Sequence, residues 1–298
     1  MVVRRTRRPL ADKVLKKFER HSRNKVVNLK SFKAGKQLAQ TLSQTVTSDT
    51  ELATLHPAHA HYVYAQNRLA VMAEQLTCLP ELDRLSRILA GLEDEYMPSG
   101  PPMSPLTSSF YTCWTLFDIS VGNANETLCS TAIAVGQKYG MHENLLHLLS
   151  LMQESYTAVY RHEGVEGDYV LLRELVTDRV LQTVSTSGYL GQKGELWYVR
   201  LMPPPSSEFE QHVVFTTPYR LLVPSEKEWL AYFDRVLPPV SSPKRISEYQ
   251  KHMKYGPPRN YWSEFVFEAY VNYQHDVIFL EGLPDIEESR PCSRVNLQ

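Results

Sequence analysis

Residues 194–203 read Gly-Glu-Leu-Trp-Tyr-Val-Arg-Leu-Met-Pro. A turn glycine opens the stretch and a proline closes it. Between them Trp197, Val199 and Leu201 alternate with Tyr198 and Arg200, the period of two that marks a strand with one face buried. Working outward, similar short runs occupy Tyr156–His162, Asp168–Leu175, Arg179–Ser185 and His212–Val223. Turn residues separate them: Gly164-Val165-Glu166-Gly167, Thr177-Asp178, the glycine run Gly188 to Gly194, and Pro203-Pro204-Pro205. Strands this short, divided by turn residues at this density, predict a small antiparallel barrel of the SH3-like or OB-like type over residues 156–223.

The flanking sequence has helical periodicity. Pro57 suits the first turn of a helix because its missing N–H is not needed there, and Val63, Leu69, Met72, Ala73 and Leu76 carry the pattern toward Cys78. Pro80 restarts the chain into a helix marked by Leu82, Leu85, Ile88, Leu89 and Leu92. The Pro/Ser/Gly stretch 98–105 breaks it. Phe110–Phe117 is apolar on every side, and Gly140 separates two further helices, 125–139 and 142–155. After the strands, Ser225 and Glu228 have the spacing of a capping box before a helix carrying Trp229, Leu230, Phe233, Val236 and Leu237. An aromatic helix is predicted over 260–274, and a closing strand or helix end at Val277–Leu280. The class is therefore α+β. Its parts are a basic arm and linker (1–50), a helical domain (51–155), the β module (156–223), C-terminal helices packing on the core (224–282) and a loose tail (283–298).

The charge is sharply segregated. Residues 1–37 hold thirteen Lys and Arg against Asp12 and Glu19, a net +11, whereas the remainder holds 19 cations against 31 anions. Within the arm, Leu10, Val14 and Phe18 fall on one helical face surrounded by Lys13, Lys16, Lys17 and Arg20. So few apolar residues predict an arm that contributes little to the core and can be removed without unfolding the rest. Cys78, Cys113, Cys129 and Cys292 are widely spaced and form no C-x-x-C pair. That pattern fits reduced thiols in a cytoplasmic protein better than a disulfide framework or a structural zinc site. No run of eighteen apolar residues is present, so no membrane span is expected.

The segments Asp168–Val176 and Gly194–Pro203, followed by the Trp229 helix, resemble a small β module of uncharacterised bacterial proteins, some of which carry a SEC-C metal-binding motif elsewhere. The resemblance covers about a quarter of the chain. It implies a bacterial cytosolic origin and no particular activity. The cysteine and histidine cluster of SEC-C is absent here, so its zinc is not carried over.

Several constellations invite chemical readings. His56, His59 and His61 are metal-ligand types, but on a helix only His56 and His59 share a face, so an exposed helix start is the favoured reading. Glu143 with His147, and Glu264 with Glu268 near His275 and Asp276, are read as solvated helix faces. Gly188, Gly191 and Gly194 with Lys193 precede a strand. A phosphate cradle would precede a helix, and this run reads as a hairpin loop. Cys113 and Cys129 read as packing thiols. Asp118, Asn123, Asn125 and Glu126 are conspicuous polar residues in an apolar region. A helix cap or internal hydrogen bond is the favoured explanation, and a lined pocket the alternative. Gly-x-Ser-x-Gly, His-Glu-x-x-His and the phosphate-loop motif are all missing.

No cofactor and no metal are expected. The favoured function is a non-catalytic binding or adaptor protein whose basic arm contacts a polyanion, nucleic acid first, through Arg4, Arg5, Arg7, Arg8, Lys13, Lys16, Lys17 and Arg20. An acidic protein surface is the other partner such an arm would suit. The alternative is an enzyme with a pocket between the helical region and the β module, to which Asp118 and Glu126 would contribute.

Overall fold

The computed structural model describes residues 9–23, 37, 41, 46–97, 107–122, 124–223, 225–255, 270–273 and 277–281. It is α+β, and it divides into two compact units. One comprises residues 1–101, 108–155 and 202–213; the other comprises 102–107, 156–201 and 214–298.

The first unit is helical: α1 (Pro9–Arg23), α2 (Asp49–Leu52), α3 (Pro57–Thr77), a 3-10 turn at Pro80–Leu82, α4 (Asp83–Tyr96), α5 (Ser108–Phe117), α6 (Leu128–Tyr139) and α7 (Glu143–Glu154). Local chemistry sets the ends. Ser48 and Glu51 form a capping box at α2. The His56 imidazole accepts from the Ala58 amide at 3.2 Å ahead of α3. Gly140, at φ +77°, ends α6 in the left-handed conformation that glycine adopts without strain. Along α3 the buried stripe is Ala58, Tyr62, Ala65, Leu69, Ala73 and Leu76, a helical repeat that includes Tyr62 rather than Val63. The Tyr62 hydroxyl reaches the Pro203 carbonyl, which satisfies its polar end.

From Thr157 onward the chain carries β1 (Thr157–Glu166), β2 (Tyr169–Glu174), β3 (Val180–Ser185), β4 (Leu196–Met202), β5 (His212–Val214), β6 (Tyr219–Val223), α8 (Glu226–Val236), α9 (Arg245–Tyr255), β7 (Tyr270–Tyr273) and β8 (Ile278–Glu281); Met202, His212 and Val213 count with the first unit and the other residues of these elements with the second. The strands run in the order β1-β2-β3-β5-β4-β6-β8-β7, and a pairing of β1 with β4 closes the first five into a barrel. Tyr160 lies opposite Glu174 on β2 and opposite Trp197 on β4. This register puts Ala158, Tyr160, His162, Leu172, Glu174, Trp197 and Val199 on one face, all buried. The other face of β4 is buried too, Tyr198 included. α9 packs against β1.

Three further expectations change, besides the single buried face expected of β4. The run His212–Val223 is two strands, because the chain breaks from regular pairing between Val214 and Tyr219 and Pro218 has no N–H to contribute. Tyr270–Tyr273, assigned above to the end of an aromatic helix, is a strand antiparallel to β8; residues 260–269 lie outside the described residues. Of Val277–Leu280, the last three residues lie in β8 (Ile278–Glu281), which runs parallel to β6.

The third change concerns the arm. α1 is part of the helical unit and packs against α6. Ala11 and Val14 are fully buried, and Phe18 meets the Tyr139 ring edge-on at 6.0 Å. The expectation of a dispensable arm counted apolar residues but not what they dock against. No helix among the described residues is long and apolar enough to cross a membrane.

Candidate nucleic-acid interface

Docking divides the charges of α1 into two groups. Lys17 pairs with Glu81 at 3.2 Å and Glu19 with Lys138 at 3.1 Å, so these two serve the helical unit itself. Lys13, Lys16 and Arg20 remain exposed, Arg20 lying near enough to Glu81 to act on its charge. Their spacing of three and four residues puts them on one line along the helix, spanning about 10 Å at 1.5 Å rise per residue. Asp12 is exposed at the edge of this line. Arg4, Arg5, Arg7 and Arg8 lie outside the described residues.

The start of α1 is held by Glu126. One carboxylate oxygen accepts from the Leu10 amide at 2.9 Å, and the other from the Ala11 amide at 3.0 Å. These are first-turn amides with no partner inside the helix, and Pro9 before them has no N–H. Glu126 is itself buried, 3% exposed. Val121 and Glu126 exchange backbone hydrogen bonds at 3.0 and 3.1 Å across a tight turn. The next residue, Thr127, caps α6 by accepting from Ser130 N at 3.0 Å. Glu126, a polar residue in an apolar region, is thus a helix cap, supplied 115 residues away along the chain from Ala11. Of its companions, Asp118 is buried at the end of α5, Asn125 is exposed at φ +49°, and Asn123 is outside the described residues.

Among the described residues, the members of the other constellations take packing, capping or exposed places. Among the described residues no group of three or more His, Cys, Asp or Glu side chains is placed to hold a metal. His56 is spent on capping α3, and His61 packs edge-on against Phe209 at 5.7 Å. His59 is half-buried, and burial chiefly, with the nearby His56, pushes its pKa down to about 4. Glu143 and His147 are exposed on α7. Cys113 and Cys129 are buried thiols. Glu264, Glu268, His275 and Asp276 lie outside the described residues.

Two buried carboxylates in the barrel unit escaped the sequence reading. Glu174 accepts from the Tyr156 hydroxyl at 2.8 Å, from Arg179 at 3.0 Å and from Thr177. Glu195 accepts from the Trp197 indole at 2.9 Å, the Tyr189 hydroxyl at 3.1 Å and the Arg220 guanidinium at 3.3 Å. Both have their acceptor oxygens occupied by partners in the fold, which is how a buried charge is tolerated. The only sequence signal for either was a carboxylate at a strand end.

Comparison with family models, with curated proteins and with solved structures finds no match for this chain.

Proposed function

We propose that this chain is a non-catalytic binding protein that contacts the phosphates of nucleic acid through the basic face of α1 and the arginine run before it. One observation carries the reading: with the apolar side of α1 packed away and Lys17 engaged, Lys13, Lys16 and Arg20 are left exposed in a row on a fixed helix. Such a row meets a regularly spaced polyanion through its charges, which position a protein on phosphates without reading bases. A membrane surface fits less well, because the face that would enter the lipid is occupied by α6.

Titration of a labelled DNA duplex at several salt concentrations tests this. Each phosphate neutralised contributes about 0.9 to the slope of log K against log salt. Replacing Lys13, Lys16 and Arg20 together by Ala should shallow that slope by about 2.7. Replacing Arg4, Arg5, Arg7 and Arg8 should shallow it further. Absence of duplex binding at low salt sinks the reading.

A further inference from the structure

We propose that Glu126 is the positioning residue of the basic face. It touches no ligand, but it fixes the start and orientation of α1 so that Lys13, Lys16 and Arg20 are presented in one rigid line. The inference rests on the polyanion reading given above.

A helix of fifteen residues is marginal in water by itself, so the order of α1 must come from what it docks on. The apolar part of that docking is small. Ala11 and Val14 are buried, while Leu10, Leu15 and Phe18 are only half-buried. The two ion pairs, Lys17 with Glu81 and Glu19 with Lys138, are partly solvated, and pairs of that kind contribute little. Glu126 differs in kind. Its charge is buried, both oxygens are used, and both bonds go to the electropositive end of the helix. The turn linking Val121 to Glu126, and the α6 cap that follows, hold its backbone in place. Without the carboxylate, two first-turn amides lose their acceptor and α1 keeps only its weak contacts. The three cations would then have to be ordered at the moment of binding, at an entropic cost to affinity.

The test uses the full chain with Glu126→Gln and Glu126→Ala, and two readouts. Backbone hydrogen exchange over residues 10–20 reads the docking and needs no ligand. It should accelerate at least ~10-fold in both variants, with the rest of the helical unit still protected. Duplex titration reads the positioning. Affinity should fall ~3- to 10-fold with an unchanged salt slope, since the cations are all still present. Lys13→Ala/Lys16→Ala/Arg20→Ala should give the converse, unchanged exchange and a shallower slope. Unchanged exchange in the Glu126 variants overturns the proposal, as does faster exchange with unchanged affinity. If the wild-type chain binds no duplex, the polyanion reading fails and the positioning role with it, whatever the exchange reports about docking. Should the Glu126 variants fail to fold, Val14→Asn loosens α1 from its apolar side with Glu126 intact, and it must give the same pattern of faster exchange, weaker binding and constant slope.

Discussion

Gly191 sits against Trp197 so closely that a Cβ built on it would lie 2.5 Å from the Trp197 ring. Its φ of +64° disfavours any other residue as well. The loop is pinned further by the His162 Nε2 contact with the Leu190 carbonyl at 2.7 Å and by the Tyr189 ring, 5.3 Å from that of Trp197. The glycine run is therefore a strap fitted to the barrel. Gly191→Ala should lose about 1–3 kcal/mol from strain and clash together. Gly188→Ala, whose Cβ meets nothing within 4 Å, carries the backbone penalty alone. Denaturant titration of the two variants reads the difference, and equal losses would remove the close-fit explanation.

Strand β4 is buried on both faces, which alters what its aromatic residues are worth. Trp197 is 0% and Tyr198 1% exposed. A strand with one wet face would make Tyr198→Ala mild. Here both Trp197→Ala and Tyr198→Ala should cost about 3–5 kcal/mol, enough to leave either variant marginal. A small loss for Tyr198→Ala alone in denaturant unfolding would mean that its face of β4 is open to water.

His252 supplies a pH dependence. It packs between α8 and α9, where Tyr232 Oη lies 2.9 Å from Nε2, and burial pushes its pKa down to about 4. The unfolded chain holds it near 6.5, so between those values the unfolded state binds more protons. Its contribution is complete above about pH 6.5 and is lost as pH falls toward 4, by at most about 1.4 kcal/mol per pH unit. His252→Gln should flatten the decline in stability over that window, measured by urea titration at pH 7 and pH 4.5. An unchanged decline would assign it elsewhere, with His59 the next residue to replace.

Glu163 acts lower on the scale. Hydrogen bonds from Arg173 and then Arg161 hold its carboxyl at about 2. Its contribution is present above about pH 4.5 and is lost as pH falls toward 2. Glu163→Gln should weaken the barrel unit at neutral pH while reducing its loss on acidification between those values. Thermal melts across that range check both halves of the statement.

Deleting residues 1–23 should destabilise the helical unit, contrary to what the composition of the arm implies. The seat of Val14 would be exposed, and the Glu126 carboxylate would lose both its amide donors. A lower melting temperature is expected, with the cooperative transition retained. An unchanged melt would show that α1 adds nothing to the unit.

Local pattern settled much of this protein. The alternation around Trp197, the turn glycines, Pro57, Gly140 and the Ser225–Glu228 spacing each act within a few residues, and the elements they announce are present. The amphipathic helix at Leu10, Val14 and Phe18 was legible for the same reason. Tertiary structure decided what those elements touch. Whether β4 has one buried face or two depends on what packs across it, and no period along a strand records that. Glu126 looked anomalous in sequence because its partners, Leu10 and Ala11, are more than a hundred residues away. Glu174 and Glu195 had no signal beyond a carboxylate at a strand end. A buried carboxylate is made tolerable by donors that only the closed barrel brings within hydrogen-bond reach.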